Sequence, residues 1–100
     1  MRSGLVLAIL FAGCSEEGVC TSNAFAGTSD FDFGQCWDGQ DRNVHCEPPT
    51  GLPPITCTCS VGGNVGRTFT RLEPLSMSLP MTEAELAPIN SGCGWSLRPH

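Results

Sequence analysis

The sequence predicts a small disulfide-rich α+β domain, an antiparallel β-meander of four to five short strands with one short C-terminal helix. Three observations support this fold class. Seven of the 100 residues are cysteines, a density that is typical of disulfide scaffolds. Several short segments alternate apolar and polar residues, as half-buried strands do. One helix start signal, at Thr82, lies near the C-terminus.

The clearest strand is predicted at Ile55–Val61, where Ile, Cys, Cys and Val alternate with Thr, Thr and Ser. This period of two puts Cys57 and Cys59 on one buried face, so we expect them to reach different partners. Residues 42–46 alternate in the same way, with Arg, Val and Cys on one face. Asp38-Gly39 precedes them and is a favoured pair for a type I′ hairpin turn, so we predict a hairpin here.

The C-terminal third is predicted to hold the helix and the remaining strands. The expected strands are residues 65–71 after a glycine turn, residues 75–79 between two prolines, and residues 94–97 with Trp95 and Leu97 inward. Thr82-Glu83-Ala84-Glu85 is a capping box that begins the helix. Pro88 predicts that this helix is short or bent. The side chains at helical spacing that should face the sheet are Leu86, Ile89 and Cys93.

Composition and charge exclude several classes of protein. Ten acidic residues stand against five basic ones, all of them arginine, for a formal charge of −5, which argues against nucleic acid as a partner. The chain is long enough for one small domain only. The apolar stretch Leu5–Phe11 has seven residues, far fewer than the ~20 that a spanning helix needs.

The first 13 residues have the features of an export signal. Arg2 supplies a positive start, Leu5–Phe11 supplies a short apolar core, and the small residues Ala12 and Gly13 precede Cys14. This order of charge, apolar core and small residues is typical of a cleaved secretory signal. We therefore predict a signal peptide over residues 1–13.

Phe11-Ala12-Gly13-Cys14 resembles the lipobox of bacterial lipoproteins. The resemblance implies that Cys14 becomes the first mature residue and carries a diacylglyceryl group on its thiol and an acyl chain, such as palmitate, on its amine. Each buried methylene contributes about 0.8 kcal/mol, so several chains on one residue would hold the protein firmly on a membrane. Ser15 follows, which in that family implies sorting to the outer membrane. We expect a lipid-anchored protein of the cell envelope.

The domain organisation follows from this signal. We predict a signal peptide at 1–13, a tether of small and polar residues at 14–35, and a disulfide-stabilised β-rich domain at 36–100. Within the tether, Asp30-Phe31-Asp32-Phe33 alternates and could form a short edge strand.

Six cysteines remain once Cys14 is assigned to lipid, and they are Cys20, Cys36, Cys46, Cys57, Cys59 and Cys93. An even number of thiols in an exported domain predicts three disulfides. Spacing suggests one pairing as a hypothesis. A symmetric proline-rich loop would place Cys46 opposite Cys57, the helix would bring Cys93 to Cys59, and Cys20 would bond to Cys36.

A metal site is the competing interpretation of the same cysteines. Cys57, Cys59 and Cys93, with His45 or Cys46, have the atom types that zinc prefers. The spacing is not that of paired Cys-x₂₋₄-Cys ligands, and an exported protein favours disulfides. We therefore expect neither a metal nor another cofactor.

No catalytic motif was found, and we expect the protein not to be an enzyme. His45 is predicted as a solvent-facing strand residue with no paired carboxylate or thiolate, and no site for a small-molecule substrate is evident. The Cys-x-Asp-Gly, Cys-x-Cys and Cys-Gly-Trp segments over residues 36–97 resemble small Cys-rich lipoproteins of myxobacterial type, a resemblance that implies no activity.

The function expected is that of a structural or interaction module. Its loop Glu47–Pro54 would be presented to another envelope protein or to cell-wall polymer. The alternative is a secreted inhibitor-like or toxin-like disulfide knot without a lipid anchor.

Overall fold

The computed structural model describes residues 16–27 and 29–100, so the predicted signal peptide and Cys14 lie outside the described residues. Within these described residues, five antiparallel strands follow one another across a single sheet in chain order, and one helix packs beside the last strand. This confirms the predicted α+β meander. The elements are β1 (Cys20–Ala26), β2 (Asp30–Cys36), β3 (Arg42–Glu47), β4 (Ile55–Val61), β5 (Asn64–Arg71) and α1 (Glu83–Cys93).

The core lies on one face of the sheet, under α1 and the segment that leads into it. In β4 the alternation is as predicted: Ile55, Cys57 and Cys59 are buried while Thr56 is exposed. The core also takes in a residue from before the helix, Met81, which is 2% exposed. The other buried hydrophobic residues are Cys20, Phe31, Phe33, Cys36, Val44, Cys46, Leu75, Leu86, Ile89, Cys93 and Leu97.

Three disulfides join strand to strand and sheet to helix. Cys20 and Cys36 face each other across β1 and β2, and Cys46 and Cys57 face each other across β3 and β4. The third bond joins Cys59 in β4 to Cys93 at the end of α1. The structure thus contains the same three pairs that the spacing argument suggested.

The helix begins with the predicted capping box and ends at a glycine. The Thr82 hydroxyl accepts a hydrogen bond from the Glu85 N–H at 3.2 Å, and the Glu85 carboxylate accepts one from the Thr82 N–H at 2.9 Å. Gly94 ends the helix with a φ of 75°, a left-handed conformation that favours glycine. The helix continues past Pro88 as far as Cys93. Pro88 leaves only the carbonyl of Ala84 without its usual partner, and Ala84 is exposed, so water can satisfy that carbonyl.

The type I′ turn occurs at a different hairpin from the predicted one. Gly62 and Gly63, between β4 and β5, have φ values of 58° and 84°, which are the two positive φ angles that this turn requires. The predicted hairpin does form between β2 and β3, but its turn is not type I′. Gly39 has a φ of 79°, whereas Asp38 is not among the described residues with a positive φ. The loop of residues 37–41 is longer, and its Gly39 N–H bonds to the Cys36 carbonyl.

The segment assigned to a tether requires the largest correction, because most of residues 20–35 form β1 and β2. Two features recruit it into the sheet: the Cys20–Cys36 disulfide and the side chains of Phe31 and Phe33, which are at most 2% exposed. The predicted edge strand at Asp30–Phe33 is therefore an inner strand, paired on one side with β1 and on the other with β3.

Two predicted C-terminal strands are absent from the structure. Residues 75–79 and 94–97 form no strand, and the isolated bridge between Val19 and Arg98 lies just beyond the second segment. Leu97 is buried as expected, but the Asn90 side chain holds its backbone by two hydrogen bonds, at 2.8 and 2.9 Å, in place of a neighbouring strand. An extended segment alternates inward and outward side chains whether or not it hydrogen-bonds to a neighbouring strand. The alternation alone therefore predicted two strands that the structure does not contain.

Candidate interaction site at the loop end of the sheet

The meander gives the sheet two distinct ends. The N-terminal end holds residues 16–20, the loop 37–41 and the turn 62–63, because β1 begins there and every second connection returns there. The loop end holds the β1–β2 connection and the proline-rich loop 48–54. Strands of about seven residues at ~3.3 Å per residue separate the two ends by roughly 20 Å.

The proline-rich loop is held firmly at its base. Cys46 and Cys57 bond directly beneath it, and inside it the Gly51 N–H donates to the Pro48 carbonyl at 3.1 Å. At its tip the side chain of Leu52 is 67% exposed. Proline fixes φ and so reduces the chain entropy that binding would otherwise remove. This loop can therefore present an apolar side chain to a partner at low conformational cost.

His45 lies beside the loop, between two carboxylates. Its Nδ1 is 2.9 Å from Oδ1 of Asp30, which is its register partner in β2, and its Nε2 is 2.5 Å from Oε2 of Glu47. Glu47 shares its face of β3 because it is two residues along the strand. The three side chains are between 40% and 62% exposed. His45 faces solvent as predicted, but the expectation that it has no carboxylate partner is wrong.

The two carboxylates favour the charged form of this histidine. The hydrogen bond to Asp30 is the largest cause, followed by the one to Glu47, and together they raise the pKa of His45 above its usual 6.5. The protonated ring can donate to both carboxylates at once. The sequence signal that was missed is Glu47, two positions away; Asp30 could be assigned only once β2 was known to neighbour β3.

A polar face continues from this cluster across the sheet. Asn43 donates to the Asp32 carboxylate at 2.6 Å, one row nearer the N-terminal end. On the other side, His45 is the register partner of Thr58. The same face then carries the four threonines Thr56, Thr58, Thr68 and Thr70, which stand opposite one another in β4 and β5. The side of the sheet away from the core is therefore a hydrated surface rich in hydroxyl, amide and carboxylate groups.

The structure does not bring the proposed zinc ligands together as thiolates. Cys57, Cys59 and Cys93 are each in a disulfide. Within residues 16–27 and 29–100, no group of three or more His, Cys, Asp or Glu side chains is arranged to hold a metal ion. Disulfide sulfur is a poor ligand compared with thiolate, so this arrangement favours the crosslinking role of the cysteines.

A second cluster lies at the N-terminal end, around a buried arginine. Both terminal nitrogens of Arg42 donate to the Asp38 carboxylate, at 3.0 and 2.8 Å, and this ion pair lowers the pKa of Asp38 to about 2. The guanidinium carbon is 4.3 Å from the ring centroid of Trp37 and 5.8 Å from that of Trp95. Arg42 is only 8% exposed, while both indoles are partly buried. The alternation in residues 42–46 correctly predicted that Arg42 lies on the inner face. It did not predict that Trp37 and Trp95 pack against the guanidinium.

Among the described residues, no helix has the length and apolar character needed to cross a membrane. No protein-family model, curated protein or solved structure matches the chain.

Proposed function

We propose that this protein is a lipid-anchored module of the bacterial cell envelope that binds another envelope component through the loop end of its sheet. The observation that carries the proposal is the use of its cysteines. Three disulfides take up six of the seven, and the seventh, Cys14, stands in the lipobox-like motif. Acylation at Cys14 would place the protein on a membrane, the outer one by the Ser15 criterion.

The positions of the chain entry and the proline-rich loop, at opposite ends of the sheet, support the same function. The chain enters the domain at the N-terminal end, so a lipid on Cys14 would hold that end near the membrane. The loop 48–54 and the His45 cluster lie at the opposite end, roughly 20 Å farther out along strands that rise ~3.3 Å per residue. A partner in the envelope, whether protein or cell-wall polymer, would therefore meet Leu52 and its neighbours first.

Anchoring is tested by labelling cells with a palmitate analogue and measuring the intact mass of the membrane-extracted protein. We expect label on the wild type, a chain that begins at Cys14, and a mass lower by six hydrogens than the reduced form, from three disulfides. Cys14→Ser should lose the label and leave the membrane fraction. A wild-type protein that is secreted without label would refute anchoring and favour the inhibitor-like alternative.

The binding surface is tested by site-specific photo-crosslinking in living cells. The probe residue is placed at Leu52, which is 67% exposed at the loop end, or at Val65, which is 73% exposed at the start of β5 at the opposite end. We expect a discrete adduct from position 52 that position 65 does not form. Digestion of the cell wall before electrophoresis separates a polymer adduct from a protein adduct. Equal labelling at both positions, or none at position 52, would contradict the loop as the binding surface.

A further inference from the structure

We propose that the N-terminal end of the sheet rests directly on the lipid headgroups, with Trp37 and Trp95 in the interfacial layer. This inference rests on the proposed acylation of Cys14 and adds a defined membrane-facing surface. It replaces the predicted tether of residues 14–35 with close contact between the folded domain and the lipid.

The first argument is the length of chain between the lipid and the folded domain. Val19 is only five residues from Cys14. A chain spans at most ~3.6 Å per residue even when fully extended, so Val19 lies within about 18 Å of an acylated Cys14 whatever conformation the connection adopts. The connection is therefore no longer than a strand of the sheet, roughly 20 Å, and is too short to act as a spacer across the envelope.

The second argument is that the connection is already part of the fold before β1 begins. The Gly18 carbonyl accepts a hydrogen bond from the Arg98 N–H at 2.7 Å, and the Val19 carbonyl accepts one from the Trp37 N–H at 3.0 Å. The Arg98 side chain also donates to the Glu17 carbonyl at 2.8 Å. These bonds tie residues 17–19 to two other parts of the domain. An anchor at Cys14 would therefore restrict the orientation of the whole sheet.

The third argument is the chemistry of the side chains at this end. Trp37 follows β2 directly, and its indole and that of Trp95 lie against the same guanidinium. Indole combines a large apolar surface with one N–H donor, which is why tryptophan concentrates at membrane–water interfaces. The charge between the two rings is already neutralised, because Asp38 binds Arg42 through two hydrogen bonds. The cluster can thus approach lipid without bringing an unpaired charge.

The charges next to the indoles indicate which lipid surface fits. Glu16 forms an ion pair with Arg98 at 3.4 Å, and Glu17 stands beside them. This end carries no excess of positive charge that would draw it to anionic lipid. We therefore expect the contact to form on zwitterionic phosphatidylcholine, with the indoles and the acyl chains providing the attraction.

The test uses the intrinsic fluorescence of the acylated full-length protein in phosphatidylcholine vesicles. The chain has two tryptophans and no tyrosine, so Trp95→Phe leaves Trp37 as the sole emitter and Trp37→Phe leaves Trp95. Lipids brominated close to the headgroup quench only indoles at that depth. The control reporter is Leu52→Trp in a chain that also carries both Trp→Phe changes, because position 52 is exposed at the opposite end. Intact mass verifies that each variant has three disulfides, and a circular dichroism spectrum that matches the wild type verifies that it is folded.

We expect Trp37 to be quenched at least threefold more strongly than the tryptophan at position 52. A flexible Gly/Ser insertion of about twelve residues after Ser15, with a root-mean-square span of roughly 20 Å, should abolish the difference while acylation continues. Acylated, vesicle-bound protein in which positions 37 and 52 are quenched equally would overturn the proposed contact and leave the lipid anchor intact. Protein that is not acylated at all would overturn the proposed function itself, and mass spectrometry detects this before any fluorescence is measured.

Discussion

The disulfide between Cys59 and Cys93 is predicted to contribute most to stability, because it closes the longest loop. Its cysteines are 34 residues apart, whereas those of the Cys46–Cys57 bond are 11 apart. No other disulfide lies within residues 59–93, so its removal releases the whole loop in the unfolded chain. The loop-closure entropy corresponds to about 4 kcal/mol for the longer loop and about 3 kcal/mol for the shorter one.

The matched comparison replaces both cysteines of one bond by alanine. All four sulfurs are buried, with residue exposures from 0% to 6%, so the cavity costs should be similar and the loops should decide the difference. We expect the Cys59→Ala/Cys93→Ala protein to lose about 1 kcal/mol more than the Cys46→Ala/Cys57→Ala protein in free energy of unfolding. Because small domains have only about 5–15 kcal/mol in total, either loss is readily measured.

The assay is guanidinium chloride unfolding combined with amide hydrogen exchange. Among the described residues, the Cys59–Cys93 bond is the only disulfide that joins the sheet to α1. Its loss should therefore also accelerate exchange in α1 selectively, through local opening of the helix. A larger loss from the Cys46–Cys57 pair, with unchanged exchange in α1, would refute the reasoning from loop length.

Three further predictions concern single residues. Gly92→Ala should lose about 1–3 kcal/mol in thermal unfolding, since its new methyl group would overlap the Phe69 ring; full stability would show that β5 is not packed as described. Asp38→Asn should cost about 1–2 kcal/mol because it removes the charged partner of buried Arg42. Since the pKa of Asp38 falls to about 2 on folding, this stabilisation is present above the ordinary value of 3.8 and is lost as the pH falls through 2; the variant should lack that acid-dependent loss in urea titrations. For His45 the pH dependence runs the other way, because folding raises its pKa. The stabilisation from its two carboxylate partners is complete below pH 6.5 and is lost as the pH rises through the higher folded pKa. The exposed cluster limits this effect to about 0.5 kcal/mol, and His45→Gln should remove it from the pH dependence of the urea midpoint.

The two ends of the sheet have complementary chemistry for an anchored module. The N-terminal end carries indoles around a neutralised arginine, which suits contact with lipid. The loop end carries a proline-stiffened loop with an exposed Leu52 and the charged His45 cluster, which suits contact with a hydrated partner. The proposed anchoring and the proposed lipid contact assign these ends to the membrane and to the envelope, respectively.

Local patterns in the chain were enough to predict several elements correctly. The strand Ile55–Val61 follows from strict alternation, and the start of α1 follows from a capping box that spans four residues. Both signals depend on interactions between residues close in sequence, so these predictions do not require knowledge of contacts with distant segments. The Cys46–Cys57 pairing could be suggested because the two cysteines flank a single loop. The α+β class rested on these local features.

Contacts between distant segments required the tertiary structure. Whether an extended segment becomes a strand depends on a hydrogen-bonding partner elsewhere in the chain: β2 finds partners on both sides, whereas residues 75–79 pair with no strand. The carboxylate partner of His45 in β2 and the indole that Trp95 places against Arg42 likewise come from 15 and 53 residues away. Composition and alternation describe each segment separately, but they do not specify which segments meet. The pairing of distant segments created both the His45 cluster and the packing of the two indoles against Arg42.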